Sequence, residues 1–285
     1  MEDIAIGIIG GSGIYDLDNL DIIDEMQLDT PFGEPSDKYI VGKLENIKIA
    51  FLSRHSKGHK ILPSELNSKA NIFGFKKLGV KYLLSVSAVG SLREEIEPRH
   101  LVFPSQIIDR TKGRASTFFG NGIVAHVSFA EPFCNNLIKI LEDTSKSLNI
   151  PYHIGKTYVC MEGPAFSTKA ESNFHRLIGG DIIGMTAIPE AKLAREAEIC
   201  YAAIALSTDY DCWREDEESV TVEMILENMG KNINNAKKLL SEVIKKIGDY
   251  KCSCHSSLTN AIVTNKEVWP EETKNKLEIL IKRFF

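Results

Sequence analysis

Short apolar runs rich in β-branched residues alternate with amphipathic stretches through most of the 285-residue chain. Several runs are apolar at consecutive positions, which is typical of strands that helices cover on both faces. Strand–helix alternation of this kind predicts an α/β fold with a mixed, mainly parallel sheet. The predicted strands span residues 4–9, 39–44, 48–53, 82–89, 101–108, 157–161, 181–185 and 201–207.

Local signals place helices between these strands. Thr168 and Glu171 have the spacing of a capping box, Gly79 suits the residue that follows a helix, and Pro189 suits a first helical turn. Because we find no internal repeat and no linker, we expect one domain over residues 1–285, in which about 250–285 form a tail that packs late or joins an interface. The predicted helices span about 64–79, 132–148, 168–179, a segment from 189, and 221–247.

Charge and hydropathy exclude several classes of partner. The net charge of −5 leaves no broad basic surface, which argues against nucleic acid. No apolar run approaches the ~20 residues that span a bilayer, and the first residues, MEDIAIGIIGG, lack the positive region of a signal peptide. We therefore expect a cytoplasmic protein that binds neither nucleic acid nor membrane.

Disulfide scaffolds are short and rich in cysteine, whereas this chain has six cysteines in 285 residues and does not fit that class. Cys252 and Cys254 are too close together for a CxxC redox motif. No second Cys or His pair lies near them in the sequence to complete a zinc set. We therefore expect unpaired thiols and no metal site.

Two carboxylates follow a buried strand in the segment STDYDCW. Asp209 and Asp211 would point to the same face of an extended chain, where they repel each other and are costly to desolvate. Such a pair is typical of a metal site, of recognition of a base, or of proton transfer. The residues alone leave these three roles open.

A glycine-rich turn, 10–13, follows the first strand. Its backbone amides and the Ser12 hydroxyl suit a single anion. Asp16 stands where a dinucleotide-binding GxGxxG motif needs its third glycine, and no GKS/T follows. A purely structural turn is the alternative interpretation.

Arg54 and His55 follow the predicted strand 48–53. Arginine binds phosphate with a two-pronged guanidinium. His55 and His59 have HxxxH spacing, but no glutamate lies between them, so the zinc-protease motif is absent. Phosphate binding is favoured over metal binding, and an exposed basic loop is the alternative.

Small and hydroxyl-bearing residues end two further strands. Ser87 and Ala88 let backbone amides approach a ligand, and Thr186 precedes a helix N-terminus, which favours anions. In open α/β sheets, ligands bind at the carboxyl ends of the strands. These strand ends together predict a site for one inorganic phosphate. The candidate ligands are Ser12, Arg54, His55, Ser87, Ala88 and Thr186.

These segments resemble the trimeric purine nucleoside phosphorylase family, and within it the 5′-methylthioadenosine phosphorylases. The resemblance runs from the first strand to about residue 245. It implies a single domain whose sheet forms a distorted barrel, with about 250–285 as a divergent tail. The matching segments are GGSG (10–13), TPFGEPSD (30–37), SRH (53–55), NSKANI (67–72), SAVGSLREE (87–95), AEPFC (130–134), EGPAFSTKAE (162–171), GMTAIPE (184–190) and TDYDCW (208–213).

The resemblance also implies a reaction. Phosphate attacks the anomeric carbon of a nucleoside and releases the purine and a sugar 1-phosphate, through a transition state in which negative charge builds on the purine. Inorganic phosphate is a co-substrate, and no cofactor or metal takes part. The family assembles as homotrimers or dimers of trimers.

Roles for individual residues follow from the same resemblance. Asp209 faces the purine N7 and 6-amino group as the catalytic acid, and Asp211 supports it. Phe166 stacks on the purine beside Ser167, and Met185 lies against the ribose. The 5′-methylthio pocket is formed by His126 from a neighbouring subunit and by Val222, Ile225 and Leu226.

The carboxylate of Asp209 bears on the choice of base. Relatives that cleave 6-oxopurines carry an amide there; a carboxylate accepts from a 6-amino group and repels a 6-oxo group. We therefore expect cleavage of 5′-methylthioadenosine to adenine and 5-methylthioribose 1-phosphate, with adenosine as a second candidate substrate. The alternatives are a phosphorylase for 6-oxopurine nucleosides, one for methylthioinosine, a hydrolytic nucleosidase, and an adenosine-binding module without turnover.

Some positions depart from the family pattern. Ala165 stands where its members usually carry Arg, and Gly184 where many carry Asn, which leaves fine specificity open. The C-terminal tail does not match clearly. The CSC pair resembles one seen in some archaeal members, and on that basis the disulfides Cys252–Cys254 and Cys134–Cys200 both stay open.

Overall fold

The computed structural model describes residues 4–11, 14, 17, 20–214 and 222–285, with side chains from 227 onward in the last range. These residues form one nine-stranded sheet in the order β2-β3-β4-β1-β5-β8-β7-β6-β9, in which β5 also pairs with β9. The strands are β1 (Ile6–Gly10), β2 (Leu20–Met26), β3 (Tyr39–Leu44), β4 (Ile47–Ser53), β5 (Tyr82–Ser91), β6 (Leu101–Arg110), β7 (Tyr152–Met161), β8 (Ile182–Gly184) and β9 (Cys200–Asp209). The helices are α1 (Ser68–Lys77), α2 (Asn135–Ser147), α3 (Lys169–Leu177), α4 (Ala187–Glu196), α5 (Val222–Lys246) and α6 (Glu271–Ile281).

The sheet is mixed and closes on itself. β4, β1, β5 and β9 are parallel neighbours, so their carboxyl ends meet at one edge. β6, β7 and β8 are parallel to one another and run antiparallel to β9 and β5. The pairing of β5 with both β8 and β9 therefore completes a ring of five strands. This arrangement confirms the predicted α/β fold and distorted barrel.

The strand β9 lies between β5 and β6 in this ring, and all of its residues are buried. Helix α5 packs along it and pins its carboxyl end. Asn228 Nδ2 donates to the carbonyl of Thr208 at 2.8 Å, and Asn232 Nδ2 donates to that of Ser207 at 2.7 Å. These bonds satisfy backbone groups that the sheet leaves unpaired where the strand ends.

All eight predicted strands are present, and β2 was missed. It lies at the edge of the sheet, and Ile22 and Ile23 are 61% and 53% exposed. A strand without a buried face lacks the apolar pattern on which the prediction rests. The strand β7 also begins at Tyr152, earlier than predicted, because its first residues are largely solvent-accessible.

The helix predictions are confirmed except at one start. The first helix begins at Ser68 and not near Ser64, because Asn67 is its N-cap and accepts a hydrogen bond from the Ala70 amide. Residues 63–65 form a separate 3-10 turn. The capping box of Thr168 and Glu171 is present.

The C-terminal segment packs against the same core as the rest of the chain. Leu258, Trp269, Leu277 and Ile281 all belong to the main hydrophobic cluster, beside strand and helix residues from the first half of the sequence. Among the residues with described positions, no helix is long and apolar enough to cross a membrane.

Candidate active site

The carboxyl ends of the parallel strands bring four of the predicted site residues, Arg54, Ser87, Ala88 and Asp209, to one edge of the sheet. The turn after β4 joins the end of β1 directly, since the Arg54 amide donates to the Gly10 carbonyl at 2.9 Å. On the other side of β1, the strand β5 carries Ser87 and Ala88, both half-buried. Next to β5, the strand β9 ends in Asp209. This edge is where ligands bind in α/β sheets.

Arg54 lies under this edge and is 1% exposed. Its Nε donates to Glu190 Oε1 at 2.6 Å, and its Nη2 donates to Ser85 Oγ at 2.7 Å. Its Nη1 donates to the Val86 carbonyl at 2.9 Å. Burial lowers the pKa of Arg54, but the Glu190 carboxylate more than offsets this, so the pKa rises and the guanidinium stays charged.

Glu190 is 1% exposed and accepts several hydrogen bonds. Besides Arg54, the hydroxyls of Ser85 and Tyr201 donate to its Oε2 at 3.1 and 3.0 Å. A buried carboxylate needs such partners, because its desolvation is otherwise very costly. The network ties β4, β5, α4 and β9 together beneath the predicted phosphate site.

His55 is 8% exposed and its ring stacks on that of His59, with centroids 4.3 Å apart. Burial lowers the pKa of His55 to about 4, and the charge of Arg54 adds to this effect. The ring is therefore neutral at pH 7. Because Nδ1 lies 2.7 Å from the Ile61 carbonyl, Nδ1 carries the proton and Nε2 is left as an acceptor.

Two buried hydroxyls near Ser87 have no hydrogen-bond partner among the described residues. The hydroxyl of Tyr158 faces Thr186 and Ser87. Tyr158 Oη and Thr186 Oγ1 are both buried, yet neither makes a hydrogen bond to any residue whose position is described. Thr186 is also the N-cap of α4, at the positive end of the helix dipole. Unsatisfied hydroxyls at such a position are suited to donate to an anion.

Asp209 is 5% exposed and is held from two sides. Thr208 Oγ1 donates to its Oδ2 at 2.7 Å, and the Asp211 amide donates to its Oδ1 at 2.8 Å. The register of β5 and β9 shifts just before the Gly90–Asp209 pair. A β-bulge of this kind turns a side chain toward a site.

Asp211 combines a strained backbone with a carboxylate oxygen that is buried away from water. Its φ is +52°, which side chains other than glycine rarely adopt, and its Oδ2 is buried without a hydrogen-bond partner in the described part of the chain. Burial raises the pKa of Asp211, and the nearby hydroxyls of Ser172 and Ser167 partly offset this. Strain and an unsatisfied carboxylate are typical of a functional position.

Gly90 makes room for both acids. A Cβ at this position would lie 2.9 Å from Asp209 Oδ1 and 3.4 Å from Asp211 Cβ. The first distance is shorter than a side-chain contact allows, so the carboxylate of Asp209 occupies space that only glycine leaves.

Arg114 holds the loop after β7 against the turn after β8. Its Nη1 donates to the Met185 carbonyl at 2.6 Å, and its Nη2 donates to the Glu162 carbonyl at 2.6 Å. Its Nε pairs with the Glu162 carboxylate at 3.1 Å. These bonds hold the Met185 backbone in place where β8 ends.

Comparison with known proteins identifies the family. The model of the phosphorylase superfamily matches residues 5–245. The chain belongs to the phosphorylase superfamily. This superfamily assignment confirms the family resemblance seen in the sequence.

Relatives of this superfamily are similar over nearly the whole chain. The chain is 52% identical to the S-methyl-5′-thioadenosine phosphorylase of Koribacter versatilis, with 98% of this chain and 96% of the relative covered. A methylthioadenosine phosphorylase from an antarctic soil metagenomic library has a TM-score of 0.94 and 46% identity, covering 98% of this chain and 99% of that one. The Schistosoma mansoni methylthioadenosine phosphorylase, in complex with adenine, has a TM-score of 0.86 and 35% identity, covering 93% and 100%.

Two of the predicted positions, His126 and Phe166, are exposed in the single chain. His126 is exposed in the loop before α2, where its amide donates to the Ala261 carbonyl at 2.8 Å. Phe166 is 49% exposed, and Ser167 beside it accepts from Cys212 Sγ at 3.1 Å through its carbonyl. The predicted residues Ser12, Val222, Ile225 and Leu226 lie outside the residues whose side chains are described.

Sequence reasoning missed the residues that support the site. Glu190 was interpreted only as part of a helix start, and Gly90 and Arg114 were not singled out. The signal for Glu190 in the sequence was its place in an apolar stretch directly after Pro189, since a buried carboxylate needs a cation such as Arg54 nearby. Tyr201 gave no signal, because a tyrosine in a buried strand is ordinarily a packing residue.

Proposed function

We propose that this protein is a phosphorylase that cleaves 5′-methylthioadenosine with inorganic phosphate, giving adenine and 5-methylthioribose 1-phosphate. Adenosine is a second substrate. The observation that carries the proposal is Asp209, a buried carboxylate held by Thr208 and Asp211 beside the strand that bears the predicted phosphate ligands. The relatives named above, whose names specify this activity, support the choice of nucleoside.

Phosphate binds at the end of β5. Its ligands are Ser12, Arg54, His55, Ser87, Ala88 and Thr186. The unpaired Thr186 hydroxyl donates to it, and His55 Nε2 accepts from the P–OH of hydrogen phosphate. Arg54 contributes its charge and its second Nη1 proton, since the other donors of the guanidinium bond within the protein.

The base lies toward the end of β9. As the glycosidic bond breaks, positive charge stays on the sugar and negative charge builds on the purine. Asp209 accepts from the 6-amino group and, when protonated, gives its proton to N7. Asp211 fixes the Asp209 carboxylate through its amide.

The sugar and the 5′ group occupy the remaining space. Met185 lies against the ribose, and Phe166 covers the purine with Ser167 beside it. The methylthio group enters an apolar pocket of Val222, Ile225 and Leu226, and His126 reaches it from a neighbouring subunit. The exposure of His126 within one chain is consistent with a role across an interface.

The assembly and setting follow from this proposal. Residues 1–285 form a single nucleoside phosphorylase domain that assembles as a homotrimer or a dimer of trimers in the cytoplasm. The reaction uses no cofactor and no catalytic metal. Light scattering tests the assembly, and a fully active monomer would contradict a site that borrows His126.

The deciding experiment measures base release from methylthioadenosine, adenosine and inosine, each with and without phosphate. We expect phosphate-dependent adenine release that is fastest from methylthioadenosine. Release from inosine would mean that Asp209 does not select the base. Release without phosphate would indicate a hydrolase, and no release from any nucleoside would leave a binding module.

A further inference from the structure

Four cysteines from distant parts of the sequence meet at the end of the sheet opposite the active site. Cys134 is the N-cap of α2, and Cys200 is the first residue of β9. Cys252 and Cys254 flank Ser253 at the start of a 3-10 turn after α5. Their four Sγ atoms all lie within 4.8 Å of one another. Spacing along the sequence does not show this group, because Cys134 and Cys200 approach Cys252 and Cys254 only in space.

The spacing of the sulfurs matches a metal centre better than it matches disulfides. Cys134 Sγ and Cys252 Sγ are 3.7 Å apart. Four thiolates around one Zn²⁺, each at about 2.3 Å from the ion, lie roughly 3.8 Å from one another. All six cysteines of the chain are free thiols in the structure, including the pairs 252–254 and 134–200 for which disulfides were left open.

The surroundings of the cluster suit negative charge. Cys134, Cys200 and Cys254 are buried, so the ligands are shielded from water. His255 Nε2 lies 3.3 Å from Cys200 Sγ, at hydrogen-bond distance from a thiolate. Cys134 lies at the positive end of α2, where a thiolate is stabilised.

We propose that Cys134, Cys200, Cys252 and Cys254 bind one Zn²⁺ ion as a structural site. Four thiolates fill the tetrahedral coordination of zinc and leave no position for substrate. Cys200 and Asp209 are the two ends of β9, about 30 Å apart at roughly 3.3 Å per residue, so the ion takes no part in phosphorolysis.

The ion would fasten the C-terminal segment to α2 and β9. Beyond Cys254, this segment holds the loop that carries His126, since the His126 amide donates to the Ala261 carbonyl and the Val263 amide donates to the Val124 carbonyl at 2.9 Å. Metal binding therefore orders a segment that supports a residue of the proposed 5′ pocket.

The test uses the full-length protein without an affinity tag, purified without chelators. Elemental analysis is expected to give one zinc ion per chain. Mass spectrometry is expected to show that the ion is lost on denaturation and that the denatured chain carries all its thiol hydrogens. A denatured mass short by two or four hydrogens with no metal would overturn the proposal in favour of disulfides. Iron at the same stoichiometry, or reduced thiols with no metal, would also overturn it.

Two variants and a control locate the metal. Cys134→Ser and Cys254→Ser are expected to lose bound zinc, whereas Cys160→Ser removes a buried thiol outside the cluster and is expected to keep it. Zinc retained in both cluster variants would overturn the assignment.

Because either variant could fail to fold, the wild-type protein supplies a second measurement. A mercurial reagent is expected to release zinc in proportion to modified thiols, and cobalt substitution is expected to give the intense visible absorption of a tetrahedral thiolate site. Cobalt bound without that absorption would contradict four thiolate ligands.

Discussion

The phosphate half and the base half of the proposed active site differ in how the protein satisfies their charged groups. Under the phosphate half, Arg54 and Glu190 are fully buried and bond to each other and to their neighbours. In the base half, Asp211 has a positive φ and a buried oxygen without a hydrogen-bond partner among the described residues. The difference indicates that the phosphate half contributes to folding, whereas the base half is kept under strain for its ligand.

This comparison predicts that substitutions under the phosphate half act first on stability. Arg54→Ala leaves the buried Glu190 carboxylate without its main partner, and we expect a loss of about 3–5 kcal/mol in the free energy of unfolding. Chemical denaturation measures this loss. In the fraction that stays folded, the KM for phosphate should rise more than the KM for nucleoside.

A double variant tests the cause of that loss. Arg54→Ala combined with Glu190→Gln removes the orphaned charge and keeps an amide for Ser85 and Tyr201, so it should be more stable than Arg54→Ala alone. If the double variant is the less stable of the two, the unpaired carboxylate is not what destabilises Arg54→Ala.

In the base half, the larger effect is expected on turnover. Asp209→Asn keeps the shape of the side chain but replaces one carboxylate oxygen with a donor, so turnover of methylthioadenosine should fall more than about tenfold, or ~1.4 kcal/mol. The relative use of inosine should rise. Steady-state kinetics with both nucleosides measure this, and unchanged turnover of adenine nucleosides would show that Asp209 does not contact the base.

A smaller effect is expected from crowding the same acids. Gly90→Ala places a methyl group 2.9 Å from Asp209 Oδ1, which must shift. Because the reaction rate falls steeply when a catalytic group is displaced, we expect turnover to fall roughly fivefold to tenfold.

Gly230→Ala is the matched control for Gly90→Ala, since a Cβ there meets no atom within 4 Å. It should leave turnover unchanged and stabilise α5 by about 0.5–1 kcal/mol. Equal turnover in both variants would mean that the close approach of Gly90 to Asp209 is of no consequence.

The smallest effect concerns the pH dependence of stability in the phosphate half. The pKa of His55 is about 4 in the folded protein and 6.5 ordinarily, so the unfolded chain takes up the proton first. The contribution of neutral His55 to the free energy of unfolding is therefore complete above pH 6.5 and is lost as the pH falls toward 4. Near pH 5 the loss is about 1 kcal/mol after allowance for screening.

Denaturation in phosphate-free buffer between pH 7.5 and 5 measures this dependence. His55→Gln should flatten the pH dependence of the free energy of unfolding. His59→Gln changes only the ring stacked on His55 and should keep most of that dependence. The same slope in His55→Gln and in the unmodified protein would assign the dependence to other groups.

Much of this fold could be predicted from the sequence alone. Strands buried on both faces need continuous apolar runs, and helix ends need particular capping residues, so both are visible locally. The residues at the strand ends, such as Arg54 and Thr186, could be assembled into one predicted site, because parallel strands bring their carboxyl ends together. The edge strand β2 has no buried face and was therefore invisible.

Only the tertiary structure decided which distant side chains become partners. Arg54 and Glu190 are 136 residues apart in the sequence, and Cys134 and Cys252 are 118 apart. Neither pairing has a local pattern, because it depends on the order of strands in the sheet and on where α2, α5 and the C-terminal segment pack. The sequence determined the elements and the residues at their ends, whereas the packing of those elements decided which charges and thiols share a buried environment.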